Sequence, residues 1–503
     1  MSMNGNANMN RSKNQMDANK STHPNVIYIL ADDLGYGDIS CLNPDSRIAT
    51  PHLDRLGREG LIYTDAHSSS AVCTPSRYSI LTGRYNWRSE LKEGVLWGYS
   101  PSILEEGRMT VASLFKQAGY RTACYGKWHL GLDWHRTGPA AEDVDFSQPI
   151  RRGPVDAGFD EFYGISASLD MPPYVYIEND AVVQLPDRLT RNDDKKGFWR
   201  EGPVAPDFRH EEVLPRLTGK VLERIEQFSS AADGSPFFIY YPLPAPHTPI
   251  VPAPEFVGRS GTNLYGDFVL MVDDVVGAIM RKLEECGIAD NTVVLFTSDN
   301  GCSPSADYAE LARYGHNPSY VFRGHKADIY EGGHRVPLLV RWPARIAAGA
   351  VSGEPVCLVD FMATAADVTG QTLPDDAGED SVSHLPLWLG TNGTEPLREA
   401  IVHHSIDGSF SIRKGEWKLE LCPGSGGWSD PAPGQEPPGS PSFQLYRLSD
   451  DIGERQNVID RFPDIVQELT ALLTRYIKEG RSTPGAPQPN KGMPRWSQLH
   501  WME

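Results

Sequence analysis

Four short apolar runs lie along the chain, and each is followed by polar residues. The runs span residues 26–31, 121–125, 237–241 and 292–298, and they are almost continuously apolar. Strands of a parallel sheet show this pattern when helices cover both faces, because neither face then meets water. We therefore predict four buried strands with polar side chains beyond their carboxyl ends.

Helical spacing of apolar residues separates these runs. One helical pattern covers 213–228, before the third strand, and another covers 268–283, before the fourth, with Gly287 placed to end the helix. Alternating strands and helices predict an α/β fold with a mainly parallel central sheet flanked by helices. Sites in such sheets form beyond the carboxyl ends of the strands, so we expect the polar clusters to converge.

The pattern changes near residue 385. Short runs between 400 and 446 predict a small antiparallel sheet, and helical spacing over 465–476 predicts a closing helix. In chain order we predict a disordered N-terminal tail (1–24), a catalytic domain (25–385), a smaller C-terminal α+β subdomain (386–480) and an extended tail (481–503).

Composition and charge limit the function. The formal net charge of −19 argues against nucleic acid and anionic membrane partners, and favours a small substrate over an extended polyanion. The seven cysteines show no metal or redox spacing, so we expect reduced thiols. No apolar run could span a bilayer, and the first 24 residues lack a secretory signal. We expect a cytoplasmic protein, or a periplasmic or secreted one if a leader has been removed.

Cys73 begins the most specific motif. Residues 73–77 have the pattern C-x-P-x-R, followed by an apolar pair and Thr-Gly. Pro75 suits the first turn of a helix, which places Cys73 at the positive end of the helix dipole. Arg77, four residues on, returns to the same helix face. The alternative is a buried structural cysteine, the usual role of a free cysteine.

Two acidic or amide pairs follow predicted strands. Asp32 and Asp33 follow the first strand, and Asp299 and Asn300 follow the fourth. They offer only oxygen ligands, which suit Ca²⁺ or Mg²⁺ and not Zn²⁺. The alternative is a turn or helix-capping role. We favour that alternative for Asp38 and the metal site for the two pairs.

Cationic and histidine side chains form a third group. Lys127 and His129 follow the second strand, and two residues apart on an extended segment they would share a side. His247 lies in a proline-bounded loop that suits a preorganised group. Lys326 precedes a Glu-Gly-Gly turn. A lone histidine is more often structural, and we favour that role for His334.

Together these motifs resemble the formylglycine-dependent (type I) sulfatases of the alkaline phosphatase superfamily, over most of residues 25–480. The resemblance implies an alkaline-phosphatase-like core and a maturase that oxidises Cys73 to formylglycine. It assigns a Ca²⁺ site, for which Mg²⁺ is the alternative ion, to the modified residue and four others: Asp32, Asp33, Asp299 and Asn300.

The resemblance also implies catalytic roles. One hydroxyl of the formylglycine hydrate attacks sulfur, and His247, with Lys326, protonates the leaving alcohol. His129 takes the proton from the second hydroxyl, which expels sulfate. Arg77, Lys127 and Lys326 neutralise the sulfate oxygens.

The predicted function is exo-acting hydrolysis of a sulfate ester on a small molecule or saccharide. The first alternative is a phosphodiester or phosphonate monoester hydrolase, because related enzymes share C-x-P-x-R. The second is an inactive Ca²⁺-dependent binder of sulfated glycans, which would require a broken set of site residues, and none is broken. Aromatic and polar groups at 85–88, 95–99 and 168–174 suit either sugar rings or packing.

Overall fold

The computed structural model describes residues 23–502. The predicted N-terminal tail lies, but for its last two residues, outside the described residues. The strands of the described chain are β1 (Asn25–Ala31), β2 (Leu61–Tyr63), β3 (Ala66–His67), β4 (Arg121–Lys127), β5 (Glu161–Ile165), β6 (Ile177–Glu178), β7 (Ala181–Val182), β8 (Arg188–Asn192), β9 (Trp199–Val204), β10 (Phe237–Pro242), β11 (Thr292–Ser298), β12 (Leu338–Arg341), β13 (Ala350–Ser352), β14 (Val356–Cys357), β15 (Ile401–His404), β16 (Phe410–Lys414), β17 (Trp417–Glu420) and β18 (Gln444–Arg447).

The described α-helices are α1 (Pro51–Arg58), α2 (Cys73–Thr82), α3 (Val111–Gln117), α4 (Val213–Ser229), α5 (Leu264–Glu285), α6 (Tyr308–Arg313), α7 (Glu331–His334), α8 (Phe361–Thr369), α9 (Leu385–Trp388) and α10 (Pro463–Glu479). No helix in this part of the chain is both long enough and apolar enough to cross a membrane.

A ten-stranded sheet forms the centre of the molecule, in the order β13-β2-β12-β11-β1-β10-β4-β5-β6-β7. Its five middle strands, from β11 to β5, are parallel to one another. Strands β12, β6 and β7 pair antiparallel at the two sides. The predicted mainly parallel sheet is therefore confirmed, and the four predicted strands are β1, β4, β10 and β11.

Helices cover both faces of this sheet. On β10, neighbouring side chains point to opposite faces. The Tyr241 hydroxyl lies 2.7 Å from Thr218 Oγ1 of α4. On the other face, the ring of Tyr28, which pairs in register with Tyr240, lies 4.6 Å from the ring of Phe361 of α8. Burial on both faces explains why these strands are almost continuously apolar.

The separate antiparallel sheet predicted near the C-terminus is also present, as β15-β16-β17-β18. It packs with α10 in a second core that includes Tyr85 and Trp87 from the catalytic part. The chain after Gly480 returns to this core, where Trp496 and Leu499 are buried. The domain boundary near residue 385 stays a prediction. All seven cysteines are free thiols.

Candidate active site

The predicted site residues meet at one edge of the central sheet. Strands β1, β10, β11 and β4 are neighbours, so their carboxyl ends lie side by side. Two backbone bonds extend this alignment beyond the strands: the Asp32 N–H donates to Ala245 O over 2.9 Å, and the Asp299 N–H donates to Ala31 O over 3.1 Å. Strand order therefore brings together residues that are far apart in the sequence.

Asp32, Asp33, Asp299 and Asn300 form one buried cluster of oxygen ligands. The Asp33 N–H donates to Asp299 Oδ1 over 3.3 Å, and the Asn300 amide donates to Asp33 Oδ1 over 2.8 Å. Asp32 Oδ1 and Asn300 Oδ1 are buried and accept no hydrogen bond from the described residues. Buried hard oxygen atoms that accept no hydrogen bond suit a divalent cation such as Ca²⁺, so these residues fit the predicted metal.

Each carboxylate of this cluster is paired with a buried cation. Lys127 Nζ lies 2.6 Å from Asp32 Oδ2, and Lys326 Nζ lies 2.7 Å from Asp33 Oδ1. Arg77 is the partner of Asp299, with Nη2 lying 2.8 Å from Oδ2. Charges are stable away from water when they are paired and hydrogen-bonded, so the six groups support one another.

All three nitrogens of the Arg77 guanidinium donate hydrogen bonds to the protein. Its Nε and Nη2 both donate to Asp299 Oδ2, and its Nη1 donates to the Lys127 carbonyl over 2.9 Å. In the structure Arg77 holds one acidic ligand and the end of β4, and its predicted contact with sulfate stays a prediction. Arginine suits this task because its donors form a rigid fork.

Helix α2 begins at Cys73, as the motif predicted, with Val72 extended before it and Pro75 in the first turn. Cys73 is buried, and burial raises the pKa of its thiol, although Lys127 and Lys326 lower it. The unmodified side chain is therefore a protonated thiol at neutral pH. A protonated thiol is a poor nucleophile, which agrees with a requirement for conversion.

His129 reaches the site by a route that the sequence did not predict. The segment after β4 is not extended, because His129 has a left-handed backbone with φ 57°. Its Nε2 lies 2.8 Å from Leu96 O, so Nε2 carries the proton. Burial, with the charges of Lys127 and Arg77, holds the pKa of His129 well below its ordinary value. The neutral ring keeps a buried Nδ1 that has no partner among the described residues.

His247 lies next to Asp32 and Asp33 of the metal cluster. Its Nδ1 donates to Thr248 O over 2.6 Å, and its Nε2 lies 3.6 Å from Asp33 Oδ2. Asp170, which no motif singled out as a site residue, places Oδ1 4.0 Å from His247 Nδ1. That oxygen is buried and accepts no hydrogen bond from the described chain, while Oδ2 binds Arg200.

The pKa values of the acidic side chains Asp32 and Asp299 are shifted in opposite directions. Burial raises the pKa of Asp32, but Lys127, His247 and Arg77 outweigh burial and hold that pKa below its ordinary value. Burial, together with the charge of Asp32, raises the pKa of Asp299 to about 7. Like charges in a buried site cannot all ionise freely, and a bound divalent cation would favour full ionisation.

Asp38 has the structural role that we favoured for it. Its carboxylate accepts from the Gly35 N–H over 2.8 Å and from Tyr265, and lies 2.8 Å from His316 Nε2. His334 is buried, and its Nδ1 lies 3.0 Å from Nδ1 of His67. Both groups lie outside the cluster around Cys73.

Comparisons with known proteins agree with this arrangement. The family model described as Sulfatase matches residues 24–371. The chain is 36% identical to N-acetylgalactosamine-6-O-sulfatase of Bacteroides thetaiotaomicron, over 90% of this chain and 93% of that protein. It is 30% identical to the mouse N-acetylgalactosamine-6-sulfatase, over 93% of this chain and 88% of that protein.

A solved structure shows the same fold. It comes from work on glycosaminoglycan metabolism by Bacteroides thetaiotaomicron, and it matches with a TM-score of 0.79 and 35% identity, covering 90% of this chain and 99% of that one. Family model, relatives and fold agree with the buried cluster at the strand ends. The chain therefore belongs to the sulfatase family and is a sulfuric ester hydrolase.

Proposed function

We propose that this enzyme removes sulfate from the terminal sugar of a small saccharide, with formylglycine at position 73 and a divalent cation, Ca²⁺, beside it. The observation that carries the proposal is the group of three paired carboxylates and cations that surrounds Cys73. Such a group matches the needs of a sulfate ester, an anion that repels nucleophiles until its charge is neutralised.

Asp32, Asp33, Asp299 and Asn300 would hold the metal. When bound, the cation supplies positive charge that polarises a sulfate oxygen. Arg77 keeps Asp299 oriented for this task. The ammonium groups of Lys127 and Lys326 lie beside the same carboxylates, where they can donate to sulfate oxygens.

The modified residue 73 would supply one hydroxyl to attack sulfur and a second to expel sulfate afterwards, which divides one difficult step into two. His129 Nδ1 is free to accept the proton of the second hydroxyl. His247 Nε2 would donate a proton to the leaving alcohol, because Nδ1 is occupied by the Thr248 carbonyl. An enzyme that installs formylglycine is therefore a required partner.

The names of relatives suggest the sugar. Two of them are named for N-acetylgalactosamine 6-sulfate, and they align over nearly the whole chain. We extend this substrate to the present protein. The net charge of −19 supports a short saccharide, because a long polyanion would be repelled outside the pocket.

The test measures release of the free sugar from N-acetylgalactosamine 6-sulfate and from the matching phosphonate ester, with the wild type and Cys73→Ala. We expect the wild type to prefer the sulfate ester and Cys73→Ala to be inactive while still folded. Mass spectrometry of the active protein should show loss of one sulfur and two hydrogens and gain of one oxygen at residue 73. Elemental analysis should find calcium or magnesium.

Three outcomes would contradict the proposal. A preference for the phosphonate ester would favour the alternative hydrolase. Turnover by protein with fully unmodified Cys73, verified by mass, would exclude the nucleophile. Stoichiometric zinc that tracks activity would exclude the assigned metal.

A further inference from the structure

Two tryptophans with half of their surface exposed stand next to the candidate active site. Trp97 is 50% exposed and Trp428 is 49% exposed. Single exposed apolar side chains are common on protein surfaces, so it is the attachment of these two to the segments of the candidate active site that sets them apart. One belongs to the catalytic part of the chain and the other to the C-terminal part.

Trp97 is attached to the catalytic residues through its neighbour. The Leu96 N–H donates to Thr74 Oγ1 over 3.2 Å, and the Leu96 carbonyl accepts from His129 Nε2 over 2.8 Å. Thr74 directly follows Cys73. The backbone before Trp97 is therefore held by both the nucleophile helix and His129.

The Trp97 ring is itself oriented. The Arg200 guanidinium carbon lies 4.9 Å from the ring centroid, and the same guanidinium binds Asp170 beside His247. The Trp97 backbone N–H donates to Ser100 Oγ over 2.8 Å, which holds the chain at this residue. A cation over an indole face stabilises the ring orientation while half of the residue stays exposed.

Trp428 is attached to the segment that carries Lys326. Its backbone N–H donates to Asp328 Oδ1 over 2.8 Å. The preceding residue, Gly427, lies so close to this segment that a β-carbon there would overlap the Ala327 carbonyl. The loop around Trp428 is therefore packed directly on the chain next to Lys326.

A single stretch of the C-terminal part joins the two tryptophan segments. The Gly94 N–H donates to Ile406 O over 2.7 Å, and the Ile406 N–H donates to Ala327 O over 3.0 Å. The Asp407 N–H donates to Gly426 O over 3.4 Å. One network of backbone hydrogen bonds therefore connects the segments of both tryptophans near Cys73.

We propose that Trp97 and Trp428 bind the sugar rings of the substrate, so that the C-terminal part of the chain contributes to substrate specificity. An indole has a broad apolar face and a polar edge, and a sugar ring likewise has C–H groups on a face and hydroxyls at its rim. This inference rests on the proposed function, because it assumes that the sulfate is carried by a saccharide.

The experiment compares Trp97→Ala and Trp428→Ala with the wild type on the disaccharide that ends in N-acetylgalactosamine 6-sulfate. We expect each variant to raise KM about tenfold, the equivalent of about 1.4 kcal/mol, with a smaller change in kcat. Inorganic sulfate, which has no ring, should inhibit all three proteins with the same Ki. Trp→Phe variants should recover most of the affinity.

Tyr314→Ala is the matched control, because Tyr314 is 44% exposed and lies outside the network described above. It should behave as the wild type. An unchanged KM in both tryptophan variants, or an equal loss of affinity for disaccharide and inorganic sulfate, would overturn the inference. If the wild type itself released no sulfate from saccharides, the proposed function would fail instead, so the two failures are distinguishable.

Discussion

At the scale of single residues, the two candidate proton-transfer histidines follow one design. Each ring uses one nitrogen for a backbone carbonyl, of Leu96 for His129 and of Thr248 for His247, and keeps the other nitrogen available. This contact fixes the ring orientation and the tautomer. Their surroundings differ: burial and nearby cations keep His129 neutral, as the proposed base role requires, whereas His247 lies beside Asp33 and Asp170.

Replacing His247 with Ala tests its role as the leaving-group acid. We expect kcat/KM on sugar sulfates to fall by about 10²–10⁴-fold, the usual contribution of general acid catalysis. Aryl sulfates with acidic leaving groups need little protonation and should lose far less. The exposed His135→Ala variant is the control. Equal losses on both substrates would indicate a binding role.

At the scale of elements, the end of β4 depends on one glycine. Gly126 has φ 136°, and a β-carbon there would overlap the Pro242 carbonyl of β10. The close approach of the two strands sets the position of Lys127 directly after it. A side chain would force the strand ends apart, so backbone spacing and the Lys127–Asp32 pair are linked.

Gly126→Ala should therefore lower the free energy of unfolding by about 3 kcal/mol or more, from backbone strain and overlap combined. Urea unfolding measures this value, and sulfate release should fall with it. Gly219→Ala in α4 is the control, because a β-carbon there meets nothing within 4 Å. That variant should gain about 0.5–1 kcal/mol from helix propensity. Equal stability of the two variants would refute the argument.

At the scale of the whole molecule, a buried polar cluster joins the catalytic part to the C-terminal sheet. His67, His334 and His403 lie together, with the last two rings stacked 3.7 Å apart. Lys418 Nζ lies 3.1 Å from His334 Nε2, and Arg413 Nη1 lies 3.1 Å from His67 Nε2. Both ring nitrogens of His67 and His334 already have protein partners, which include Asp65 Oδ1 at 2.7 Å from His67 Nε2 and Ile329 O at 3.1 Å from His334 Nε2, so we interpret the cluster as a structural junction.

This junction should make the fold sensitive to acid. Burial is the main cause that lowers the pKa of His67 to about 4 and holds the pKa of His334 and His403 well below the ordinary value. Histidines in an unfolded chain bind protons near pH 6.5, their ordinary pKa. The buried neutral histidines therefore leave the free energy of unfolding undiminished above about pH 6.5. As pH falls toward 4, protonation of the unfolded chain lowers that free energy.

Urea unfolding at several pH values between 5 and 7 measures this dependence. Each histidine should contribute up to about 1.4 kcal/mol per pH unit. His403→Phe keeps an aromatic ring but removes one titrating group. The change in its free energy of unfolding per pH unit should therefore be smaller than that of the wild type, by up to this amount. His135→Phe, at an exposed site, should keep the wild-type slope. An unchanged slope in His403→Phe would contradict the assignment.

Local sequence patterns were sufficient to predict the fold class and the chemistry of this protein. Apolar periodicity reports which faces of an element meet water, so it predicted β1, β4, β10 and β11 within one or two residues at most ends. The motif at 73–77 and the acidic pairs at two strand ends predicted the family and the oxygen-ligand cluster. These signals are local, since each depends on residues close together in the chain.

The pairing of charges among those groups depends on the three-dimensional fold. Arg77 and Asp299 are 222 residues apart and Lys326 and Asp33 are 293 apart, so no spacing rule could pair them. Local patterns likewise did not predict the left-handed turn at His129 or the nearness of Asp170 to His247. They also did not predict the common network of Trp97 and Trp428. Such contacts depend on strand order and on the close approach of distant loops, which one-dimensional patterns do not encode.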